Sequence, residues 1–363
     1  MDNNNNIYLE VNDRLVFHPA SFVKDAFEDM GITRSEFAKR LETSEKNLSE
    51  LFNGKIDITV NMARKLENVT NVSSGTWLNL QNEYSVAREE LKELDNINEQ
   101  LSILDCIDYS SLVKRGYLEY TRKRENKVRK LCTLLKTNSL KTLTDANFAI
   151  DFRSAPIQKE REIINSNIWI ELVSRSMEKE PLFKLNKEKL KESIDNLREL
   201  TLLEPKQFIP KIKNILNDCG IHFILMPSFK NAKPKGMVMW KHDQVTLAMS
   251  NKGKYSDIFW FTFFHELGHI LLHPQMDFID FDDSSLAKRE KEADSFASEI
   301  LILESNYKQF IENSSYTIKN IDNFARENHI ERTIVIGRLQ KDKLLEYHQL
   351  TRYKKKFIWD FES

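Results

Sequence analysis

Residues Phe259 to His273 read FWFTFFHELGHILLH, so two histidines four positions apart interrupt an otherwise apolar run. On a helix that spacing puts His265 and His269 on one face, within reach of a single ion. Zinc accepts imidazole nitrogens in a tetrahedral site and, in catalytic centres, keeps one position for water. Glu266 stands beside them, where it can take a proton from that water and return it to a leaving amine. Imidazoles and a carboxylate inside an apolar helix are expensive to bury unless something compensates them. A bound metal is one compensation; the other is a pair of satisfied core histidines beside a buried glutamate.

A third protein ligand must come from elsewhere. The metzincin spacing requires Gly at 272 and His at 275, where this chain has Leu272 and Gln275, which excludes that class. His273, just before Pro274, reads as a helix-end residue hydrogen-bonded to the last carbonyls, with ligation as the alternative. The stretch Glu290-Lys291-Glu292-Ala293-Asp294-Ser295-Phe296-Ala297 is better placed. Glu290 and Asp294 share a helical face, so Glu290 can bind zinc while Asp294 orients a ligating histidine. Glu292 points elsewhere and is the alternative third ligand. Without the upstream motif, a solvated helix face would explain all three carboxylates. Ala293, Phe296, Ala297 and Ile300 supply the face expected to pack against the histidine helix.

A second group of residues could read nucleic acid. Ile32 to Gly54 is ITRSEFAKRLETSEKNLSELFNG. Thr33 with Glu36 three residues on predicts a capping box, followed by the stripe Phe37, Ala38 and Leu41. Glu42-Thr43 is a turn, Ser44 caps a second helix with inward residues Leu48, Leu51 and Phe52, and Asn53-Gly54 ends it. Two short helices joined this way have the helix-turn-helix layout, in which the start of the second helix faces the major groove. Ser44, Glu45, Lys46, Asn47 and Ser49 would stand there. Asn47 suits adenine, Lys46 guanine or phosphate, and Glu45 cytosine, while Arg34 and Lys55 would touch phosphates. A generic helix pair is the competing interpretation.

These residues imply the elements that hold them. Lys206 to Cys219 reads as a helix stopped by Gly220. Ile221–Met226, Met237–Trp240 and Gln244–Met249 read as strands, with turns at Lys230–Gly236 and Asn251–Gly253. The expected fold is mainly α with a small α+β part. It has a helix-turn-helix domain at 13–82, a helical linker or dimerisation region at 83–203, and an α+β zincin-like domain with a short sheet at 204–363. The Asn run at the N-terminus is expected to be disordered.

Composition narrows the class. A chain of 363 residues with 40% hydrophobic and 30% charged residues fits a soluble multidomain protein, and no apolar run reaches membrane-spanning length. The first residues, MDNNNNIYLE, lack the basic start and apolar core expected of a secretion signal. The three cysteines, Cys106, Cys132 and Cys219, form no CxxC pair, as expected of reduced thiols in a cytoplasmic protein. The net charge of −1 hides the basic Lys114–Lys130 stretch, read as a solvated face or a DNA or partner contact, and an acidic run from Asp277 to Asp283.

Two resemblances add to these readings. His18 to Tyr84, with Pro19, the NGK turn at Asn53 to Lys55 and the closing WLNLQ at Trp77 to Gln81, resembles the lambda-repressor-like domain of HigA-type antitoxins. The resemblance implies five helices acting as a homodimer on a palindromic double-stranded DNA operator; Glu45 departs from the basic residue common there. Gly236 to Leu303 is similar to the ImmA/IrrE family of metallopeptidases, through Trp240, Asp257, the HELGH motif and E-x-x-A-D-x-F-A. That resemblance implies zinc on His265, His269 and Glu290, with Glu266 catalytic; Glu304 departs where the family often has Pro. The fusion resembles HigA-like regulators whose partner is a protein substrate or a toxin. A purely regulatory chain with a structural or sensory zinc site, neutralising a toxin, is the alternative.

Overall fold

The computed structural model describes residues 8–11, 13–144, 160–177, 184–241, 244–273, 283–313 and 315–359. The N-terminal Asn run, Pro274, Gln275 and the acidic run up to residue 282 lie outside them. The chain divides into two compact units, Met1–Leu101 and Ser102–Ser363. Residues 83–203 are therefore shared between the units. Among the described residues no helix is long and apolar enough to cross a membrane. The fold is mainly α with small sheets, as the sequence predicts.

The first unit opens with an antiparallel hairpin of β1 (Tyr8–Val11) and β2 (Arg14–Phe17). This hairpin was not expected, although alternating apolar residues flank a two-residue connection with Asp13 at φ +62°. Five helices follow: α1 (Ala20–Asp29), α2 (Arg34–Arg40), α3 (Glu45–Phe52), α4 (Val60–Thr70) and α5 (Ser74–Leu104). Val11 and Val16 of the hairpin pack with Tyr84 and Ala87 of α5. The expected inward residues Phe37, Ala38, Leu41, Leu48, Leu51 and Phe52 all lie in the core with Trp77.

The caps explain where these helices begin and end. Thr33 accepts the Glu36 N–H at 3.2 Å, and Glu36 in turn pairs with Arg40. Ser44 accepts the Asn47 N–H at 3.1 Å. Both α2 and α3 close with the same pair of bonds. Thr43 N–H donates to Ala38 O and Glu42 N–H to Lys39 O; Lys55 N–H donates to Glu50 O and Gly54 N–H to Leu51 O. This closure needs a left-handed residue after the helix. Gly54 supplies it at φ +64°, but at the first site it is Glu42, at φ +48°.

The second unit contains α6 (Tyr109–Lys114), α7 (Arg124–Leu135), α8 (Glu160–Met177), α9 (Lys187–Glu192), α10 (Ile194–Glu199) and α11 (Pro205–Asp218). A three-stranded sheet follows, with β3 (Ile221–Met226), β4 (Gly236–Lys241) and β5 (Gln244–Ser250) in the order β3-β5-β4. β3 runs parallel to β5 and β4 antiparallel to it. Gly220, at φ +78°, turns the chain from α11 into β3. Then come α12 (Ser256–Leu272), α13 (Asp283–Leu301), α14 (Glu304–Asn313), α15 (Ile318–Glu327) and α16 (Arg332–Lys341).

One core joins Phe208, Ile212 and Leu216 of α11, Phe223 of β3, Leu247 of β5, Phe259, Trp260, Phe263 and Phe264 of α12, and Val335 and Leu339 of α16. Helix α8, in the expected linker region, is buried along much of its length and packs on α7 and β3. Two of its buried polar side chains bond other segments: Asn165 bonds Cys106 O and Asp108 N–H, and Asn167 donates its amide N–H to Leu143 O. Glu304, at the family departure, begins α14, where an acidic side chain suits the helix dipole, and it pairs with Arg338.

Candidate functional site

Helix α12 presents its apolar residues to the core and its histidines to α13. The two helices approach closely because Gly268 lies at their crossing. A methyl group there would meet Phe296 Cδ1 at 3.1 Å and Ala293 Cα at 3.2 Å. Ala293 and Ala297 are fully buried, and Phe296 and Ile300 pack against the core beside them. This short separation brings the carboxylates of α13 to the histidines of α12.

Three donor side chains meet there. His265 Nε2 and His269 Nε2 are 3.0 Å apart; the first lies 3.4 Å from Glu290 Oε2 and the second 3.4 Å from Glu290 Oε1. His265, His269 and Glu290 form a group able to hold a metal ion, all three partly buried. A tetrahedral zinc with ligands at about 2.0–2.1 Å has neighbouring donors about 3.3–3.4 Å apart. Two imidazole nitrogens and one carboxylate oxygen are also a donor set that zinc takes in peptidases. The residues present therefore fit zinc.

The surroundings fix these ligand candidates. His265 Nδ1 lies 2.9 Å from Asp294 Oδ1, and Lys341 of α16 reaches Asp294 Oδ2 at 3.5 Å. His269 Nδ1 lies 3.0 Å from His273 Nδ1, and His273 Nε2 lies 3.1 Å from Glu292 Oε2. The structure thus puts Glu290, not Glu292, among the three donors. It also corrects the expectation for His273, whose ring faces His269 and Glu292 instead of the helix carbonyls. Those carbonyls, of Leu271 and His273, accept from Lys187 Nζ at 3.3 Å.

The carboxylates around the cluster favour positive charge on His265. Burial alone would depress His265, but the bonds to Asp294 and Glu290 and the charges of Glu266 and Glu290 outweigh it and push its pKa up to about 10. Burial likewise opposes charge on Glu290, yet bonds from His265 and His269 bring it down to about 2. Burial also works against Asp294, and His265 and Lys341 prevail, holding it below the usual carboxylate range. His273 sits below its ordinary value because burial exceeds the pull of Glu292.

Glu266 is 9% exposed and lies beneath β4. A methyl group on Gly236 would meet its Cγ at 2.9 Å and its Oε1 at 3.0 Å. Glycine at the start of β4 therefore leaves the space the carboxyl occupies. The sequence marks Gly236 only as the end of a turn and does not mark Gly268, although a glycine inside an apolar helix signals close approach. Lys341 had no such signal, since nothing in its spacing ties it to the motif.

In the first unit the predicted reading residues gather at one edge. Ser44, Glu45, Lys46 and Ser49 are exposed at the start of α3, and Arg34 and Lys55 are exposed nearby in sequence. Asn47 is half-buried, its side-chain amide donating to Thr43 Oγ1 at 2.8 Å. Arg34 stands over the Phe52 ring, 5.9 Å from its centre.

Comparison with known proteins finds a family match within each unit. Residues 225–339 match the IrrE N-terminal-like domain of peptidase family M78, and residues 23–77 match a helix-turn-helix family. Over 72 residues the chain is 35% identical to the helix-turn-helix transcriptional regulator YddM of Escherichia coli K12. It is 38% identical over 72 residues to virulence-associated protein A′ of Dichelobacter nodosus. Each match spans 20% of this chain, and they cover 77% and 63% of those two proteins. The chain belongs to the helix-turn-helix transcriptional regulators and carries in its second unit an IrrE N-terminal-like peptidase-family domain.

Proposed function

We propose that the chain is a cytoplasmic DNA-binding regulator of the HigA antitoxin type, working as a homodimer. In this reading its second unit is a zinc endopeptidase that cuts one specific protein partner or the chain itself. The observation that carries the reading is the cluster of His265, His269 and Glu290 with Glu266 beside it under β4.

His265, His269 and Glu290 would hold the ion. Bound zinc would polarise the scissile carbonyl and make water more acidic. Glu266 accepts the proton from the attacking water and delivers it to the leaving amine. Asp294 fixes the His265 ring through Nδ1. Among the described residues, β4 pairs with a strand on one side only, leaving an edge to which an extended peptide can add main-chain hydrogen bonds. Such a peptide would lie past Gly236, above Glu266.

Wild type and Glu266→Gln, each loaded with zinc, are compared on candidate partner proteins. Cleavage by the wild type alone supports the peptidase reading. Zinc binding without cleavage by either would favour the non-catalytic regulator.

A further inference from the structure

We infer that His273 and Glu292 form a relay that holds His269 in the tautomer a metal requires. His273 and Glu292 are then positioning residues of the site. The inference rests on the zinc reading above and deepens it, since it gives each ligating histidine its own carboxylate.

The argument follows the protons. A carboxylate oxygen only accepts, so Glu292 Oε2, 3.1 Å from His273 Nε2, requires a hydrogen on that nitrogen. A neutral His273 then carries a lone pair on Nδ1. That atom lies 3.0 Å from His269 Nδ1, and two imidazole nitrogens at this distance share one hydrogen, which His269 must donate. His269 Nε2 is left with its lone pair, aimed at the space shared with His265 Nε2 and Glu290 Oε1. His265 is oriented in one step, because Asp294 accepts directly from its Nδ1.

The relay is built into the end of the helix. His265, His269 and His273 follow one another at four-residue intervals through α12 and its C-cap, so their rings line one face, edge to face between the first two and tilted between the last two. His273 is the C-cap, its N–H donating to His269 O at 3.2 Å, and its side chain is 7% exposed. Lys187 of α9 holds the carbonyl end of the same turn. Both nitrogens of His273 are thereby engaged away from the three-donor group, which explains why a third histidine on the ligand face is not a ligand.

The test uses the full chain with His273→Ala, Glu292→Gln and the double variant. Zinc affinity is measured by competition with a chromophoric chelator, and histidine tautomers by ¹⁵N NMR of zinc-free, histidine-labelled protein. His273→Ala should weaken zinc about 10–100-fold, the usual effect of losing a residue that orients a ligand. Glu292→Gln, whose amide serves either tautomer, should weaken it by less, and the double variant should be no weaker than His273→Ala. Wild-type His269 should carry its proton on Nδ1, and Glu292→Gln should give a mixture.

Affinities within about twofold of wild type in both single variants, or a wild-type His269 protonated on Nε2, would overturn the relay. If His273→Ala fails to fold, Glu292→Gln at a nearly half-exposed position decides the matter. If the wild type takes up no zinc, the metal reading falls, and the tautomer of His269 still judges the relay.

Discussion

The two units carry their functional residues in opposite ways. In the first, Ser44, Glu45, Lys46 and Ser49 face outward from a capped helix whose stability resides in Leu48, Leu51 and Phe52 behind them. In the second, His265, His269 and Glu290 are partly buried and answer one another. Exposed residues of this kind can change without disturbing their scaffold, because in the proposed reading each meets its partner from outside. A buried cluster of like donors cannot, because every member sets the charge and position of the next. The same chain thus holds one site that is easy to retune and one that stands or falls as a set.

That contrast can be attacked from both sides. The largest effect is expected at Glu266. Glu266→Gln should retain zinc and the operator shift yet lower cleavage by about 10²–10⁴-fold, as for loss of a general base. Retained cleavage would remove Glu266 from the chemistry. Next comes Lys46→Ala/Asn47→Ala, which should abolish the operator shift, with about 1–3 kcal/mol lost for each base contact removed. Zinc content should not change; an unaltered shift would refute the assignment of α3 as the reading helix.

Gly268→Leu should destabilise the second unit by about 1–3 kcal/mol through overpacking between α12 and α13. Denaturant unfolding of the second unit measures this, with zinc loss as a companion readout, while the operator shift persists. Wild-type stability and zinc content would mean the helix crossing does not set the site. The smallest effect is Glu42→Gly, expected to raise the stability of the first unit by about 0.5–1 kcal/mol by relieving a left-handed residue. Its ion pair with Lys65 is exposed at 3.7 Å and contributes little. A loss of stability would show that Glu42 is anchored by more than its backbone.

Much of this was legible because local physics wrote it. The strands Ile221–Met226 and Gln244–Ser250, the caps at Thr33 and Ser44, and the stop at Gly220 all follow from periodicity and turn chemistry within a few residues. The four-residue interval between His265 and His269 likewise predicts their shared face. Glu290 and Asp294 were readable because they share a helix of their own.

What escaped depends on packing between distant segments. Lys341 reaches Asp294 from α16, Gly236 makes room for Glu266 from β4, and His273 turns toward Glu292 across a gap of 19 residues. No spacing rule encodes such meetings. The burial of α8 was hidden for a similar reason. Asn165, Ser166 and Asn167 are polar by type, and only their bonds to other segments account for their burial.

The most direct test of the account is zinc stoichiometry by elemental analysis of three purified proteins loaded with excess metal. One zinc per chain is predicted for the wild type and for Glu292→Ala, and none for Glu290→Ala. Zinc retained by Glu290→Ala but lost from Glu292→Ala, or a wild type that binds none, would contradict it.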